Sequence, residues 1–327
     1  MARYVVTGGV GFIGYHTTRA LLARGDSVVV IDDLSDAPYP RVMKEQNLRD
    51  LRAEPGGEKL EMIEACITDR PAIARAFEGA HRVIHLAGLA GVRPSFADPA
   101  RYVKVNGEGT ANVLELAIEH GVRRVAFASS SSVYGNSTPL PAQEDAPAVV
   151  PESPYAASKR SAELVARAIT LRAPTMACAA LRFFTVYGPR QRPEMAITLF
   201  TRAVLEGRPI TVFGDGSMRR DFTHVSDIVC GIVTAVERSP VGYREYNLGS
   251  SAPVDLNQLV QAIGDASGKV PEVRNAPVPL GDVEATYSDL GRAKRELGWE
   301  PAVRLEQGLA TVVDWVTQDG KNYRAGA

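Results

Sequence analysis

Arg3-Tyr4-Val5-Val6-Thr7-Gly8-Gly9-Val10-Gly11-Phe12-Ile13-Gly14 leads into a helical run through Leu21 and Leu22, which is followed by Ser27-Val28-Val29-Val30-Ile31-Asp32-Asp33. An apolar strand, a glycine turn, a helix and a second strand closed by a carboxylate make one βαβ unit. Gly8, Gly11 and Gly14 allow a tight turn, close backbone approach to a pyrophosphate and close packing of helix on strand. The helix opening at Phe12 and Ile13 then faces the phosphates with unpaired amides and a partial positive charge. Asp32, with Asp33 beside it, is placed to accept hydrogen bonds from both hydroxyls of an adenosine ribose and would repel a 2′-phosphate, which points to NAD rather than NADP. A glycine triplet alone would read equally well as a plain turn. Here the flanking strands, the helix and the acid agree with the dinucleotide reading.

Outward from this unit, strands and helices keep alternating. A helix is expected over 42–52, strands over 60–63 and 82–85, helices over 72–77 and 100–120, a strand over 125–128, a helix over 161–171 and a strand over 176–181. Repeated β-then-α order implies a doubly wound parallel sheet of the Rossmann kind. Ligands in such sheets bind beyond the carboxyl ends of the strands. That rule singles out Gly8 to Gly14, Asp32 and Asp33, Ala87 to Val92, Ser129 to Ser132 and Arg182 to Gly188. Beyond about Leu181 proline and glycine become frequent and strands short, as in a smaller α+β lobe with helices near 197–206, 256–266 and 305–317. The expected organisation is an NAD-binding domain over 1–180, to which the chain returns near 221–249, and a smaller substrate-binding domain over 181–327, with a cleft between them.

With 37 basic and 38 acidic side chains and no basic run, the chain advertises neither nucleic acid nor an anionic membrane. The first strand starts almost at Met1, and no apolar run approaches the roughly 18 residues of a membrane span. A cytoplasmic protein with small-molecule partners is expected. Cys66, Cys178 and Cys230 are few and far apart, which fits reduced thiols rather than a disulfide framework, and no metal site is expected.

Tyr155-Ala156-Ala157-Ser158-Lys159 follows Pro154 and opens a helix. Residues four apart share a helix face, so phenol and ammonium point the same way. Lowering a tyrosine from about 10 to about 7 corresponds to roughly 4 kcal/mol, which Lys159 and a positive nicotinamide would together supply. A surface pair with no chemistry is the alternative. Against it stands the hydroxyl cluster Ser129 to Ser132, at the end of a parallel strand, where a second proton-relaying group would sit. His85 and His224 are expected to be structural, because a tyrosine base already serves.

Thr7-Gly8-x-x-Gly11-x-x-Gly14, His85-Leu86-Ala87-Gly88, Asn106, Ser129-Ser130-Ser131-Ser132-Val133-Tyr134-Gly135 and Tyr155-x-x-x-Lys159 resemble the extended short-chain dehydrogenase/reductases that act on nucleotide sugars. Leu181-Arg182-Phe183-Phe184-Thr185-Val186-Tyr187-Gly188-Pro189 and Arg192-Pro193-Glu194-Met195-Ala196 are similar to the UDP-glucuronate 4-epimerases. The resemblance implies Tyr155 as base, Lys159 as its activator and a ribose ligand, and Ser130 as the hydroxyl sharing the proton. It implies cofactor contacts at Ile67, Ala87, Gly88 and Asn106 as well as the glycine turn. Ser131, Ser132, Thr185 and Arg192 would surround a sugar carboxylate, Asp282 would hold the uridine ribose, and Arg220 the diphosphate. A homodimer through the helices near 100–120 and 154–171 is also implied.

Three positions depart from the family pattern. Cys66 stands where an adenine-binding Asp is common, leaving Asp69 as the substitute. Pro279 and Leu280 replace a diphosphate arginine, for which Arg93 is the candidate. Arg190-Gln191 replaces the usual Trp-Gly before the recognition arginine. Ser132 also stands where decarboxylases tend to place Glu and where dehydratases carry acids nearby. The leading expectation is a UDP-hexuronate 4-epimerase working through a 4-keto intermediate with recycled NAD. UDP-glucose 4-epimerase is the alternative among enzymes, and a non-catalytic NAD-binding regulator the alternative outside them.

Overall fold

The structure, a computed structural model, describes residues 1–36, 40–148, 150–277 and 284–318. Its centre is a seven-stranded sheet of β1 (Arg3–Thr7), β2 (Ser27–Asp32), β3 (Leu60–Glu64), β4 (Arg82–His85), β5 (Arg124–Ser130), β6 (Ala177–Phe183) and β7 (Gly242–Leu248). They lie in the order β7-β6-β5-β4-β1-β2-β3, every neighbouring pair parallel. This is the doubly wound Rossmann order with one strand added, and the direction of winding reverses between β1 and β4. The expected sheet is thus found, and β6 runs on to Phe183, past residue 181.

Alternation along the strands builds a core on each face. Tyr4, Val6, Val28, Val30, Ile84, Ala126, Ala179 and Leu181 point to one side. Val5, Val29, Ile31, Val83, Val125, Phe127, Cys178 and Ala180 point to the other. Burying each large aliphatic side chain contributes roughly 1.5–3 kcal/mol, which is why such strands read as unbroken apolar runs. Helix α1 (Phe12–Ala23) and helix α2 (Val225–Arg238) pack together on the first face. On the second face lie the helical run from Pro99 to Glu119 and helix α3, here Pro154–Thr170. The 99–119 run is continuous but contains a π-turn over Lys104–Glu108.

The smaller lobe places helices Ala196–Leu205, Leu256–Ser267 and Leu305–Gln318 around a third core of Ile197, Phe200, Val212, Leu259, Ile263 and Val312. Its strands are short pairs, Ile210–Phe213 with Val273–Ala276 and Arg219–Arg220 with Val254–Asp255. Thr185–Tyr187 pairs with Phe222–His224 where the chain crosses between the lobes. Among the described residues no helix is long and apolar enough to cross a membrane.

Candidate active site

Three features shape the glycine turn. Gly8 has φ +69°, and a Cβ there would lie 2.7 Å from the Ala87 amide nitrogen. A Cβ at Gly14 would overlap the Gly8 carbonyl. Gly11 opens α1 with no side-chain cap and no acid in the first turn, so the amides of the helix N-terminus face outward uncapped. That is the donor set a pyrophosphate needs. Asp32 is buried, accepts the Leu34 N–H at 3.0 Å and lies 3.9 Å from Lys44 Nζ. Burial holds its carboxyl above the ordinary range against the pull of Lys44. At the far end a Cβ on Gly88 would lie 2.8 Å from Asn106 Oδ1 and 3.1 Å from Lys159 Nζ, so the position admits only glycine beside the lysine. The residues present therefore fit NAD.

Asn106 and Ile67, both expected at the cofactor, are buried. The π-turn presents the Asn106 amide to the 88–90 loop, where it accepts from Leu89 N at 2.8 Å and donates to Leu89 O at 3.0 Å and Ser158 Oγ at 2.8 Å. Ile67 is buried against Gly109. Cys66 Sγ contacts Thr68, and Asp69, the substitute adenine acid, is instead an exposed N-cap accepting from Ala72 N at 3.2 Å.

Helix α3 starts as its sequence dictates: Ser153 accepts from Ala156 N at 3.2 Å and Pro154 occupies the first turn. Two residues in, Tyr155 comes beside Ser130 at the end of β5, whose hydroxyl favours the ionised phenol. Ser130 Oγ also accepts from Ser132 N at 3.2 Å and Ser132 Oγ at 2.8 Å. Tyr102 packs edge-on against the Tyr155 ring at 6.2 Å. Lys159 Nζ donates to the Ala128 carbonyl at 3.0 Å. Burial pulls this ammonium down to about 8, opposed by the charge of Glu163.

Burial raises the Tyr155 pKa, opposed by Ser130 and by the charge of Arg192.

Behind the hydroxyls lies a buried network the sequence reading missed. Ser129 Oγ donates to Glu163 at 2.6 Å, and Arg182 grips both carboxylate oxygens at 2.9 and 3.0 Å. Arg182 continues to Tyr134 Oη at 3.0 Å, and that phenol donates to Asn247 Oδ1 at 2.7 Å. The network fixes β5, the serine loop and α3 relative to one another. Its signal was available: a lone arginine in the apolar run Cys178 to Phe184, and an acid one turn after Lys159.

The sugar side is built across the lobes. Ser131, Ser132, Arg220, Val92 and Phe184 line one cavity of about 150 Å³. Thr185 opens the short strand Thr185–Tyr187, its N–H bonded to Asp221 O at 3.0 Å. Arg192 pairs with Glu194 at 3.2 Å, yet its charge also bears on Tyr155 and Tyr102. Arg220 donates to the Arg219 and Glu284 carbonyls, and Arg93 stacks at 4.9 Å over the Phe213 ring from an exposed helix. Asp282 lies outside the described residues, as do Pro279 and Leu280. His85 and His224 are both structural. His85 is buried between Thr7 and Thr110 and held neutral, its pKa pulled down to about 3 by burial, whereas His224 caps α2.

A family model, the NAD dependent epimerase/dehydratase family, matches residues 4–249. The chain belongs to that family. The UDP-glucuronate 4-epimerase of Thermodesulfobacterium geofontis is 38% identical over 318 residues, 96% of each chain. The Bacillus cereus UDP-glucuronic acid 4-epimerase, solved with UDP-glucuronic acid and NAD, superposes with a TM-score of 0.88 at 31% identity over 97% of this chain and 99% of that one. The Thermotoga maritima UDP-glucose 4-epimerase, solved with UDP-glucose, gives 0.86 at 32% identity over the same shares. As a member of this epimerase family the chain takes NAD as cofactor, in the cradle described above.

Proposed function

We propose that this chain is a UDP-glucuronate 4-epimerase, interconverting UDP-glucuronate and UDP-galacturonate. The observation that carries the reading is the convergence, on one side of α3, of Tyr155, its Ser130 partner and the charge of Arg192. Tyr155 removes the proton of the 4-hydroxyl, and Ser130 shares that proton. NAD, held by the glycine turn, Asp32 and Lys159, would supply the acceptor and donor for the hydride of carbon 4. Between the two transfers the 4-keto sugar turns in the cleft, and Tyr155 gives the proton back on the new face. Ser132 bonds Ser130 where a decarboxylase would carry an acid, so elimination lacks a proton carrier and the ketone is reduced again.

The uronate carboxylate is assigned to Arg192, with Ser131, Ser132 and Thr185 as donors. A buried charge needs such partners, and a neutral hydroxymethyl group does not. Arg220, Arg93 and Asp282 are assigned to the UDP moiety. The Arg192–Glu194 pair favours the UDP-glucose reading to the extent that it occupies the guanidinium. Incubation with UDP-glucuronate and with UDP-glucose separately, without added NAD, and resolution of the epimers tests the choice. Turnover of UDP-glucose at the higher specificity constant would reverse it.

We also assign residues 1–180 with 221–249 to the NAD lobe, the remainder of 181–327 to the sugar lobe, and the protein to the cytoplasm as a homodimer. The dimer reading is supported by Val103, Leu164 and Leu171, exposed by 53%, 52% and 82% along and just beyond the two helices expected to pair.

A further inference from the structure

The loop that follows Thr185–Tyr187 carries at one end Arg192, assigned above to the sugar carboxylate, and at the other meets the dinucleotide half. Arg190, where the family pattern has tryptophan, adopts a left-handed backbone with φ +65°. Its guanidinium lies 4.1 Å over the Tyr15 ring, donates to Asn47 Oδ1 at 2.7 Å and pairs with Asp50 Oδ2 at 2.6 Å. Asn47 is fully buried and passes the contact on, its Nδ2 donating to the Val10 carbonyl at 2.9 Å inside the glycine turn. Pro189 O accepts from His16 Nε2 at 2.9 Å on the same helix as Tyr15. Gln191 between them is buried, donates to Val186 O at 2.7 Å and accepts from Thr198 Oγ1 at 3.0 Å, so Arg190 and Arg192 flank a single well-seated residue.

We propose that Arg190 is a positioning residue that couples the two ligand sites: through Asn47 it ties the pose of the phosphate-binding turn to that of the loop presenting Arg192. Cofactor in the turn and uronate at Arg192 then strengthen each other's binding, and the coupling is reciprocal. A planar, five-donor side chain suits this work because it stacks and bonds in two directions at once. The proposal rests on the assignment of the sugar carboxylate to Arg192.

The test is the release of labelled NAD from purified holoprotein in a Tyr155→Phe background, chased with unlabelled NAD in the presence of UDP-glucuronate or of UDP alone. UDP-glucuronate is expected to slow release at least about fivefold more than UDP does, within the usual range of coupling. In Arg190→Ala and in Asn47→Ala that ratio is expected to fall to about one. An unchanged ratio in both, even with NAD bound more weakly, makes Arg190 a brace only and overturns the proposal. If Arg190→Ala does not fold, as judged by near-UV circular dichroism, Asp50→Asn removes one partner and should lower the ratio part-way; no change there overturns it too. Arg192→Ala separates the two readings. Loss of the ratio in Arg192→Ala but not in Arg190→Ala overturns the coupling alone. A full ratio in Arg192→Ala overturns the carboxylate assignment and the coupling that rests on it.

Discussion

Ser132 Oγ donates to Ser130 Oγ across 2.8 Å. With Ser132 N also bonded to that oxygen at 3.2 Å, both acceptor positions of Ser130 are filled, which leaves its own proton for the Tyr155 phenol whose pKa it lowers. Tyr155→Phe should therefore lower kcat by about 10² to 10⁴-fold. Ser130→Ala should lower it by about ten- to a hundredfold, the loss of one hydrogen bond to a charged group. Bound NAD, measured after acid extraction, should be unchanged in both. Retention of more than about a tenth of the parent rate in Tyr155→Phe would remove the phenol from the mechanism.

Asp32 and Lys44 are expected to set cofactor choice as a pair. The carboxylate repels a 2′-phosphate, while the ammonium 3.9 Å away would attract one. In Asp32→Ala the balance passes to the lysine, and NADP binding should improve relative to NAD. Competition between the two dinucleotides during reconstitution measures it. An unaltered preference would mean that Asp32 does not face the ribose.

Arg192→Ala should reduce kcat/KM for UDP-glucuronate by about ten- to a hundredfold and leave UDP-glucose nearly untouched. Glu194→Gln should act in the opposite direction, since it removes the carboxylate 3.2 Å from the guanidinium. Equal losses on both sugars in Arg192→Ala would place the arginine on the shared nucleotide.

His85 makes the fold sensitive to acid. Its pKa is about 3 in the folded chain, because burial and the charge of Lys159 both disfavour the imidazolium, against about 6.5 when unfolded. Between those values the unfolded chain binds a proton that the folded one does not, so stability falls as pH drops from about 6.5 toward 3. At pH 4.5 the loss from this group is about 2 to 3 kcal/mol. Urea midpoints at pH 7 and 4.5 for the parent and for His85→Gln should differ in slope, the variant being less acid-sensitive. Parallel slopes would show that the imidazole is not the titrating group.

The Rossmann half was legible because its signals are local: apolar runs for doubly buried strands, glycines where a Cβ cannot fit, and a Ser-Pro start for α3. The placement of Tyr155 and Lys159 on one helix was legible for the same reason. What escaped were contacts between residues far apart in the chain. Arg190 looked like a blemish in a family pattern, and only the fold shows it seated on Asn47 and Tyr15. The π-turn at Asn106 has no sequence period of its own. Helix α2 and strand β7 were expected only as an unspecified return of the chain, since the short irregular strands before them mask the change of lobe. The direction of Lys159 depends on the Ala128 carbonyl, which no spacing of side chains reveals.

Strand β7 pairs with β6 over its whole length, from Gly242 against Ala177 to Leu248 against Phe183, although the chain builds much of the sugar lobe between them. Every residue of β6 is buried, so a fragment ending near residue 180 would present that apolar strand as an open, aggregation-prone edge. The dinucleotide half therefore cannot be transplanted or expressed as a contiguous module. During synthesis its sheet stays incomplete until residue 248 has emerged, and the sugar lobe's first segments must tolerate the wait.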